Sequence, residues 1–355
     1  MKSGFVSIIG RPNVGKSTLL NSIVNAKVAI TSNVAGTTRN LVEGIYNEDD
    51  TQIIFIDTPG INKPLSKLGK ILSKETLSTL EDIDAILFLV DASEKIGGGD
   101  KFIMNILKST KCPVILVLNK IDKITNEELY NKIVEYKDIF TFSDIVPVSA
   151  LKDDNIEELI NTIKPYLKDN IRYYDKNEIT NLNPKFMIAE LVREKVLRLT
   201  HDEVPHSVTC VTTHLEESVD LVEVYVNIIV ERESQKRIVI GKNGSMLKEI
   251  GTKSRKEIED MYNGKKVYLE LFCKVIEGWK DKELYLREFG FEKKWIINKK
   301  YHQYNIVGDN MNSNELWKVF FKTGKIEDYL KYKKTKRKED NDKGVWRHYI
   351  KWNTL

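Results

Sequence analysis

A glycine-containing loop near the N-terminus has the residue types and spacing of a phosphate-binding site. Residues 10–17 read GRPNVGKS and fit the pattern G-x-x-x-x-G-K-[S/T]. The loop lies between an apolar strand-like run and a helix-like segment, so its backbone N–H groups are expected to converge on phosphate oxygens. We expect Lys16 to reach the β- and γ-phosphates and the Ser17 hydroxyl to ligate Mg²⁺.

A second motif, DTPG at residues 57–60, ends the short apolar run 53–56. The Asp57 carboxylate is expected to hold the Mg²⁺ shell through water, and the Gly60 N–H is available to a γ-phosphate. Both motifs therefore predict the same ligand group, a magnesium-bound polyphosphate.

Two segments further along the chain predict recognition of guanine. NKID at residues 119–122 follows an apolar run, and its Asp122 carboxylate suits the paired N1–H and N2–H₂ donors of guanine, which adenine lacks. After another apolar run, a backbone N–H at Ser149 or Ala150 is expected to meet the guanine O6. The predicted nucleotide-binding residues are Gly10, Asn13, Val14, Gly15, Lys16, Ser17, Thr18, Asp57, Thr58, Pro59, Gly60, Asn119, Lys120, Asp122, Ser149 and Ala150.

Length and composition indicate an ordinary soluble protein large enough for two domains. The chain has 355 residues, of which 41% are hydrophobic and 30% charged. No apolar run approaches the roughly 20 residues that a spanning helix needs, and the N-terminus leads into the first predicted strand without a signal peptide. The three cysteines lack metal-ligand spacing, so we expect a reducing cytoplasmic location.

The pattern of elements predicts an α/β domain in the first half of the chain. Strand-like runs alternate with amphipathic stretches from residue 4 to about 165, which favours a mostly parallel sheet with helices on both faces. Strands are predicted near residues 5–9, 53–57, 85–91, 114–119 and 145–148, and helices at 67–80 and 102–108. We divide the chain into a nucleotide domain at 1–168, a linker at 169–184, a second domain at 185–282 and a C-terminal extension at 283–355.

The second domain contains a candidate RNA site. A helix near 186–198, strands at 207–216 and 222–231, the loop GKNG at 241–244, a helix at 245–261 and a strand at 266–275 give the order α-β-β-α-α-β. A GxxG loop between helices is the device with which KH domains clamp single-stranded RNA. We expect residues 238–240 to form an apolar floor for the bases. The predicted RNA-binding residues are Ile238, Ile240, Gly241, Lys242, Asn243, Gly244 and Lys248.

From residue 4 to about 291 the chain resembles the Era family of bacterial GTPases. The motifs that carry the resemblance are residues 10–17, GTTR at 36–39, 57–60, 119–122, EVPHS at 203–207 and the stretch 237–251. The resemblance implies a P-loop GTPase domain followed by an α+β type II KH domain. It also implies GTP hydrolysis coupled to 30S ribosomal subunit assembly, binding of the 3′ end of 16S rRNA, and peripheral contact with the inner face of the cell membrane by a monomeric protein.

The resemblance also assigns roles within the nucleotide site. It implies catalytic roles for Lys16, Thr38 and Gly60 and magnesium ligands at Ser17, Thr38 and Asp57, with Thr37 as the alternative to Thr38. Ile61 occupies a position where many small GTPases have a water-orienting glutamine, and an apolar side chain cannot orient water by hydrogen bonding. Asn13 matches a position that helps hold K⁺ in related GTPases, where the cation does the work of an arginine finger.

Two further charged or polar residues have competing interpretations. Arg39 is either an arginine finger or, as we favour, a solvated charge of the loop that bears Thr38. His206 is either a catalytic base or, as we favour, a polar residue that fixes the loop after Pro205.

The C-terminal extension has two interpretations. Residues 314–332 have the spacing of a short amphipathic helical unit, resemble the small bacterial proteins called YqzL-like, and precede a basic stretch suited to rRNA or an anionic membrane. A solvated tail is the competing interpretation.

The alternative function is a nucleotide-regulated RNA chaperone with negligible hydrolysis. A tRNA-modification GTPase is disfavoured because a C-terminal cysteine motif is missing and a GxxG loop is present.

Overall fold

The nucleotide domain is built on a six-stranded sheet. In this computed structural model, the structure describes residues 1–61, 66–80 and 82–291, together with Trp317, Tyr332, Lys333 and Lys336. The strands are β1 Lys2–Ile9, β2 Val42–Glu48, β3 Thr51–Asp57, β4 Ala85–Asp91, β5 Val114–Asn119 and β6 Asp144–Pro147, in the order β2-β3-β1-β4-β5-β6. The pairs among β3, β1, β4, β5 and β6 are parallel, so the predicted α/β fold is confirmed.

Strand β2 differs from the prediction, which left residues 42–48 without structure. It pairs antiparallel with β3 at the sheet edge. Its sequence VEGIYNE contains a glycine, an asparagine and two glutamates, which are poor strand formers. Pairing with the fully buried β3 therefore forms this strand, and the side-chain pattern of β2 alone does not predict it.

Helices cover both faces of this sheet. They are α1 Lys16–Val24, α2 Lys67–Ser78, α3 Gly98–Leu107, α4 Asn126–Lys137 and α5 Ile156–Ile163. The α3 helix begins four residues before its predicted start, because the Asp100 carboxylate accepts a hydrogen bond from the Gly97 N–H and caps the helix. One core cluster lies between the sheet and α1 and α5, with Leu19, Leu20, Leu159 and Ile163 at 0% exposure.

The second domain has the predicted α-β-β-α-α-β order with one addition, a short helix between the first helix and the first strand. Its elements are α6 Pro184–Leu199, the short α7 Val204–Ser207, β7 Thr209–Glu217, β8 Leu221–Val230, α8 Glu233–Ile240, α9 Ser245–Met261 and β9 Lys266–Val275. The three strands form a sheet in the order β7-β8-β9, in which β7 and β8 are antiparallel and β8 and β9 are parallel. Apolar side chains from one face of the sheet pack against α6, α8 and α9. A last helix, α10 Glu283–Glu288, follows.

The segment between the two domains runs along the edge of the first sheet. The Ile45 N–H of β2 donates to the Ile179 carbonyl at 2.9 Å, and the Thr180 hydroxyl donates to the Glu43 carbonyl at 2.6 Å. The Glu43 carboxylate, 1% exposed, accepts hydrogen bonds from the Tyr174 hydroxyl and the Asn181 amide. The segment is therefore anchored by β2, the strand that leads away from the nucleotide site.

Most of the C-terminal extension lies outside the described residues, and so does the predicted helical unit at 314–332 apart from Trp317 and Tyr332. The rings of these two residues lie 4.9 Å apart between centroids, and the Lys336 amine donates to the Tyr332 hydroxyl. Within the described ranges, no helix has the length and apolar character required to span a bilayer.

Candidate nucleotide and RNA sites

The phosphate loop has the backbone geometry that its sequence predicts. Gly15 adopts φ +103°, and a Cβ there would lie 2.2 Å from the Asn119 amide nitrogen, so only glycine fits between α1 and the end of β5. The Lys16 amine is buried and donates to the Gly10 and Arg11 carbonyls, at 3.2 and 2.9 Å. Burial lowers the Lys16 pKa to about 8, although the Asp57 charge opposes this shift. The negative charge of a bound phosphate would favour the protonated amine and so raise the Lys16 pKa again.

Three side chains converge where Mg²⁺ is predicted. The Ser17 hydroxyl donates to Asp57 Oδ2 at 2.6 Å and lies 2.8 Å from the Thr38 hydroxyl, which is 3.4 Å from the same carboxylate oxygen. Burial raises the Asp57 pKa to about 6, although Lys16 and the two hydroxyls oppose it. Its buried Oδ1 has no hydrogen-bond partner. A buried carboxylate with an unpartnered oxygen beside two hydroxyls fits a hard divalent cation.

Thr37 does not face this cluster. Its hydroxyl donates to the Val34 carbonyl at 2.6 Å and lies 2.6 Å from the Ser32 hydroxyl, so it closes a turn of its own loop. Of the two candidate ligands, Thr38 is therefore the one that the structure places beside Ser17 and Asp57.

The predicted base-recognition residues lie at the carboxyl ends of β5 and β6. Asn119 accepts from the Ala150 N–H at 3.0 Å and donates to the Val14 carbonyl at 2.8 Å, which joins this motif to the phosphate loop. Asp122 accepts from the Ser149 hydroxyl at 2.6 Å. Asp122 lines a cleft of about 570 Å³ together with the phosphate loop, Asn119, Lys120 and Lys123.

Asp91, at the end of β4, is a site residue that the sequence analysis missed. The Lys120 amine donates to Asp91 Oδ2 at 2.6 Å and to the Asn13 carbonyl at 2.8 Å. Hydrogen bonds from Lys120 and Ser93 outweigh the effect of burial and lower the Asp91 pKa. The signal was present, because Asp91 follows a buried apolar strand at the same sheet edge as the other motifs.

Gly60 and Ile61 lie against the phosphate loop, and Gly60 lines the cleft. A Cβ at Gly60 would lie 2.8 Å from the backbone nitrogen of Pro12, so its backbone approaches the phosphate loop closely. Ile61 is 6% exposed, and its N–H donates to the Gly10 carbonyl. Thr58 is turned inward, where its hydroxyl donates to the Ile8 carbonyl, and Pro59 accepts a hydrogen bond from Thr76.

The loop at residues 27–39, which bears Thr38, is docked on the second domain. The Arg193 guanidinium of α6 donates to the Thr37 carbonyl, and the Glu194 carboxylate accepts the Thr31 N–H at 3.0 Å. Ile30 lies in the core cluster of the second domain, and Val34 packs against it. Hydrogen bonds from Lys195 and Lys27 outweigh burial and lower the Glu194 pKa to about 2. None of these α6 residues was predicted, because their partners lie more than 150 residues away in sequence.

Both interpretations of Arg39 are wrong. Its side chain is 7% exposed, and it donates to the Val208 and Pro205 carbonyls of the second domain, at 2.6 and 3.3 Å. Its guanidinium also lies 6.0 Å from the centroid of the Trp279 ring. Burial lowers the Arg39 pKa to about 9, with a further contribution from the nearby Arg193 charge. Arg39 therefore joins the two domains and is neither solvated nor directed at the phosphates.

His206 lies in α7 with an exposed side chain, and its backbone carbonyl accepts from Lys280 at 3.4 Å. The favoured role of its imidazole in fixing the loop has no hydrogen bond to support it in the described part of the chain. The adjacent Ser207 is the residue that closes this turn, through hydrogen bonds from its hydroxyl to the Glu203 and Val204 carbonyls.

The GxxG loop lies between α8 and α9. Gly241 has φ +73°, and a Cβ there would lie 2.7 Å from Met246 Cβ, whereas Gly244 has φ +76° and open space around it. Asn243 also has a left-handed φ of 52°. The loop is therefore a tight turn that presents the exposed Lys242 side chain between two helices, a position suited to a phosphate contact.

The apolar floor next to this loop is smaller than predicted. Ile238 is 48% exposed and Ile240 is partly exposed, but Val239 is fully buried in the domain core. The three residues belong to α8, and consecutive helical residues point about 100° apart, so they cannot share one face. Lys248 follows on α9 with an exposed side chain.

The fold and the two sites define a P-loop GTPase joined to a KH domain. Residues 5–120 match the family model described as 50S ribosome-binding GTPase, and residues 203–280 match the KH domain. The chain is 42% identical to an Aquifex aeolicus Era variant bound to GDP·AlF₄⁻, with a TM-score of 0.79 over 82% of this chain and 99% of that one. The same values describe its similarity to Era in complex with MgGDPNP and nucleotides 1506–1542 of 16S ribosomal RNA.

The chain belongs to the Era family. The predicted resemblance is thereby confirmed over the nucleotide and KH domains, and the expected GTPase activity follows from it. The similarity to YqzL-like proteins concerns the extension and stays a prediction.

Proposed function

We propose that this protein is a GTP-hydrolysing switch that binds the 3′ end of 16S rRNA through its KH domain and acts in 30S subunit assembly. The observation that carries this proposal is the attachment of the Thr38 loop to α6, through the Arg193 contact with the Thr37 carbonyl. If a change at the phosphates moves Thr38, it also moves the neighbouring Thr37 carbonyl, to which Arg193 of α6 is hydrogen-bonded. The relative solved with 16S rRNA nucleotides supports the choice of RNA.

Hydrolysis rests on groups at the carboxyl edge of the first sheet. Mg²⁺, when bound, neutralises phosphate charge and orients the γ-phosphate. Ser17, Thr38 and Asp57 are the residues that would hold it, because their oxygens converge and Asp57 Oδ1 is unpartnered. Lys16 supplies positive charge to the phosphates, and the Gly60 backbone closes on the γ-phosphate. Ile61 cannot orient water, so we expect slow turnover in the absence of RNA.

We propose further that potassium assists hydrolysis at Asn13. The Asn13 Nδ2 donates to the Asn33 carbonyl at 3.0 Å, which aims the amide along the loop. This leaves Oδ1 as a carbonyl oxygen, a suitable ligand for a monovalent cation beside the phosphates. Equal hydrolysis rates in sodium and potassium buffers would contradict this proposal.

The expected location is the cytoplasm, with a monomeric protein that makes peripheral contact with the inner face of the cell membrane. The basic stretch at residues 331–338 supports the membrane contact, because clustered lysines are attracted to anionic lipid. Sedimentation with anionic and neutral vesicles tests the contact, and equal amounts in both pellets would exclude it.

The decisive experiment measures steady-state GTP hydrolysis in potassium buffer with and without RNA that carries nucleotides 1506–1542 of 16S rRNA, the segment bound by the relative. We expect stimulation by RNA, and we expect Gly241→Ala to abolish it because a Cβ there is strained and collides with Met246.

Lys16→Ala separates the switch from the alternative, an RNA chaperone with negligible hydrolysis. If RNA release and function in cells survive this substitution, the chaperone is favoured. If RNA still binds the native protein but leaves hydrolysis unchanged, the two domains are joined without being coupled.

A further inference from the structure

One face of the KH-domain sheet carries exposed aromatic side chains. The opposite face packs on α6, α8 and α9, whereas alternate residues of β8 and β9 point away from these helices. Tyr268 is 50% exposed and Phe272 is 41% exposed. Both lie on β9, where the strand period of two places them on the same face as Tyr225 of β8.

The aromatic rings form a cluster centred on Tyr225. Its ring centroid is 4.9 Å from that of His214 and 6.4 Å from those of Tyr268 and Phe272. The rings of Tyr268 and Phe272 meet it edge-on, at 74° and 84°. Edge-on contacts leave ring faces open to solvent, and an open aromatic face attracts cations.

Three glutamates lie among these rings. Glu216 of β7 is directly opposite Glu223 of β8, and Glu270 of β9 is opposite Tyr225. Glu223 accepts a hydrogen bond from the Tyr225 hydroxyl, which raises the pKa of that tyrosine. Like charges in directly opposite positions destabilise a sheet, so the pair formed by Glu216 and Glu223 lowers the stability of the KH domain. A positively charged partner would relieve this repulsion.

The polarity of this face is opposite to that of the RNA site. On the other side of the sheet, α8, the GxxG loop and α9 carry Lys236, Arg237, Lys242 and Lys248, whereas Glu216, Glu223 and Glu270 occupy the middle of the open face. Lys266 and Lys274 lie at the two ends of β9. Carboxylates repel RNA phosphates, so the middle of this face suits a different partner from the GxxG loop.

We propose that Tyr225, Tyr268, Phe272, Glu216, Glu223 and Glu270, together the open-face patch, form a docking site for an arginine- or lysine-rich polypeptide segment. Guanidinium groups stack on the open ring faces while the carboxylates accept their N–H donors. The site lies across the sheet from the GxxG loop, so a basic polypeptide and RNA bind the KH domain together. This inference does not depend on nucleotide coupling between the domains.

The test uses the full-length, GDP-loaded protein and a fluorescein-labelled oligoarginine, with labelled oligoglutamate as the probe of opposite charge. We expect oligoarginine alone to bind. Tyr268→Ser with Phe272→Ser, and separately Glu216→Gln with Glu223→Gln, are each expected to weaken its binding at least about tenfold. The glutamine pair decides the matter if the serine pair lowers the unfolding temperature, because glutamine is isosteric with glutamate and neither Glu216 nor Glu223 is buried.

The matched control is Glu135→Gln with Asp138→Asn, which removes two exposed carboxylates from the end of α4 in the other domain. It is expected to leave oligoarginine binding unchanged. An equal loss in this control, or no loss in the patch variants, overturns the proposal. Weaker binding of the 16S rRNA segment by the patch variants, with oligoarginine binding intact, also overturns it and identifies the face as an RNA surface.

Discussion

The Arg193 guanidinium in the KH domain donates a hydrogen bond to the carbonyl of Thr37 in the GTPase domain. Thr37 immediately precedes Thr38, whose hydroxyl meets Ser17 beside Asp57. Arg193 is fully buried, and two hydrogen bonds to Glu190, at 2.7 and 2.6 Å, fix its orientation. The position of a predicted magnesium ligand is therefore set from the other domain.

Replacing Arg193 is expected to affect the triphosphate state selectively. Arg193→Met removes the contact with the Thr37 carbonyl, and Thr38 is needed only when a γ-phosphate is present. We expect affinity for Mg·GDPNP to fall about tenfold, the scale of one charge-assisted hydrogen bond, with GDP affinity nearly unchanged. Fluorescent nucleotide titration measures both constants. Exposed Arg232→Met is the matched control, and an equal loss for both nucleotides would indicate general destabilisation instead.

The Asp122 carboxylate is expected to determine base choice. Asp122→Asn replaces one carboxylate oxygen with an N–H donor, which opposes the guanine amino group but matches the C2 carbonyl of xanthine. We expect GDP affinity to fall at least about a hundredfold while XDP affinity rises. Competition binding with both nucleotides measures the change, and Asp153→Asn is an exposed control. Retention of guanine preference would exclude Asp122 from base recognition.

Magnesium affinity is expected to depend on pH through Asp57. Burial raises its pKa to about 6, so the carboxyl is protonated in the free protein at lower pH and must lose its proton to bind a cation. Apparent Mg²⁺ affinity should fall about tenfold per pH unit below this value and level off above it. The pKa of Lys16, about 8, lies outside this window. Asp57→Asn should abolish the dependence, and its persistence in that variant would assign the titration elsewhere.

Glu43, which binds the linker at Tyr174 and Asn181, is expected to lower the free energy of unfolding as pH rises. Burial raises its folded pKa to about 7 from 4.5, although Tyr174 and Asn181 oppose the shift. The folded state therefore holds the proton more tightly, so the stabilisation is complete below the unfolded pKa and is lost as pH rises toward 7. The loss is on the order of 3 kcal/mol.

Urea unfolding of the native protein and of Glu43→Gln across this pH range tests the linker prediction. The variant should show a flatter pH dependence of the free energy of unfolding, because glutamine does not titrate. Glu48→Gln, on the exposed end of the same strand, serves as control. Identical pH profiles for the native protein and Glu43→Gln would contradict the prediction.

The features predicted correctly from the sequence are those encoded by neighbouring residues. The phosphate loop needs two glycines at a fixed spacing followed by a helix start, so residues 10–17 predict it without knowledge of the rest of the chain. The GxxG turn, in which Gly241 and Gly244 both have positive φ, follows the same logic, and the RNA-binding role of the residues around it stays a prediction. Asp91 was missed, although its position at the end of a buried apolar strand is the same kind of local signal.

The features missed or assigned wrongly depend on distant partners. Arg39 was expected in solvent because arginine side chains are usually exposed. Its guanidinium is buried instead, and it donates hydrogen bonds to the Pro205 and Val208 carbonyls. Strand β2 exists because β3 lies beside it. The apolar floor is a different case, since the helical period of α8 alone keeps Ile238, Val239 and Ile240 from sharing one surface.

Ile30 belongs by sequence to the GTPase domain and by packing to the core of the KH domain. Recombination between genes at the linker would therefore leave Ile30 in water in one product and a void in the other. We expect the two domains to have evolved together, because a substitution in the KH core changes which side chains fit at residues 27–39 of the GTPase domain. A chimera that exchanges the KH domain with that of a relative should fold well only when this loop is exchanged with it.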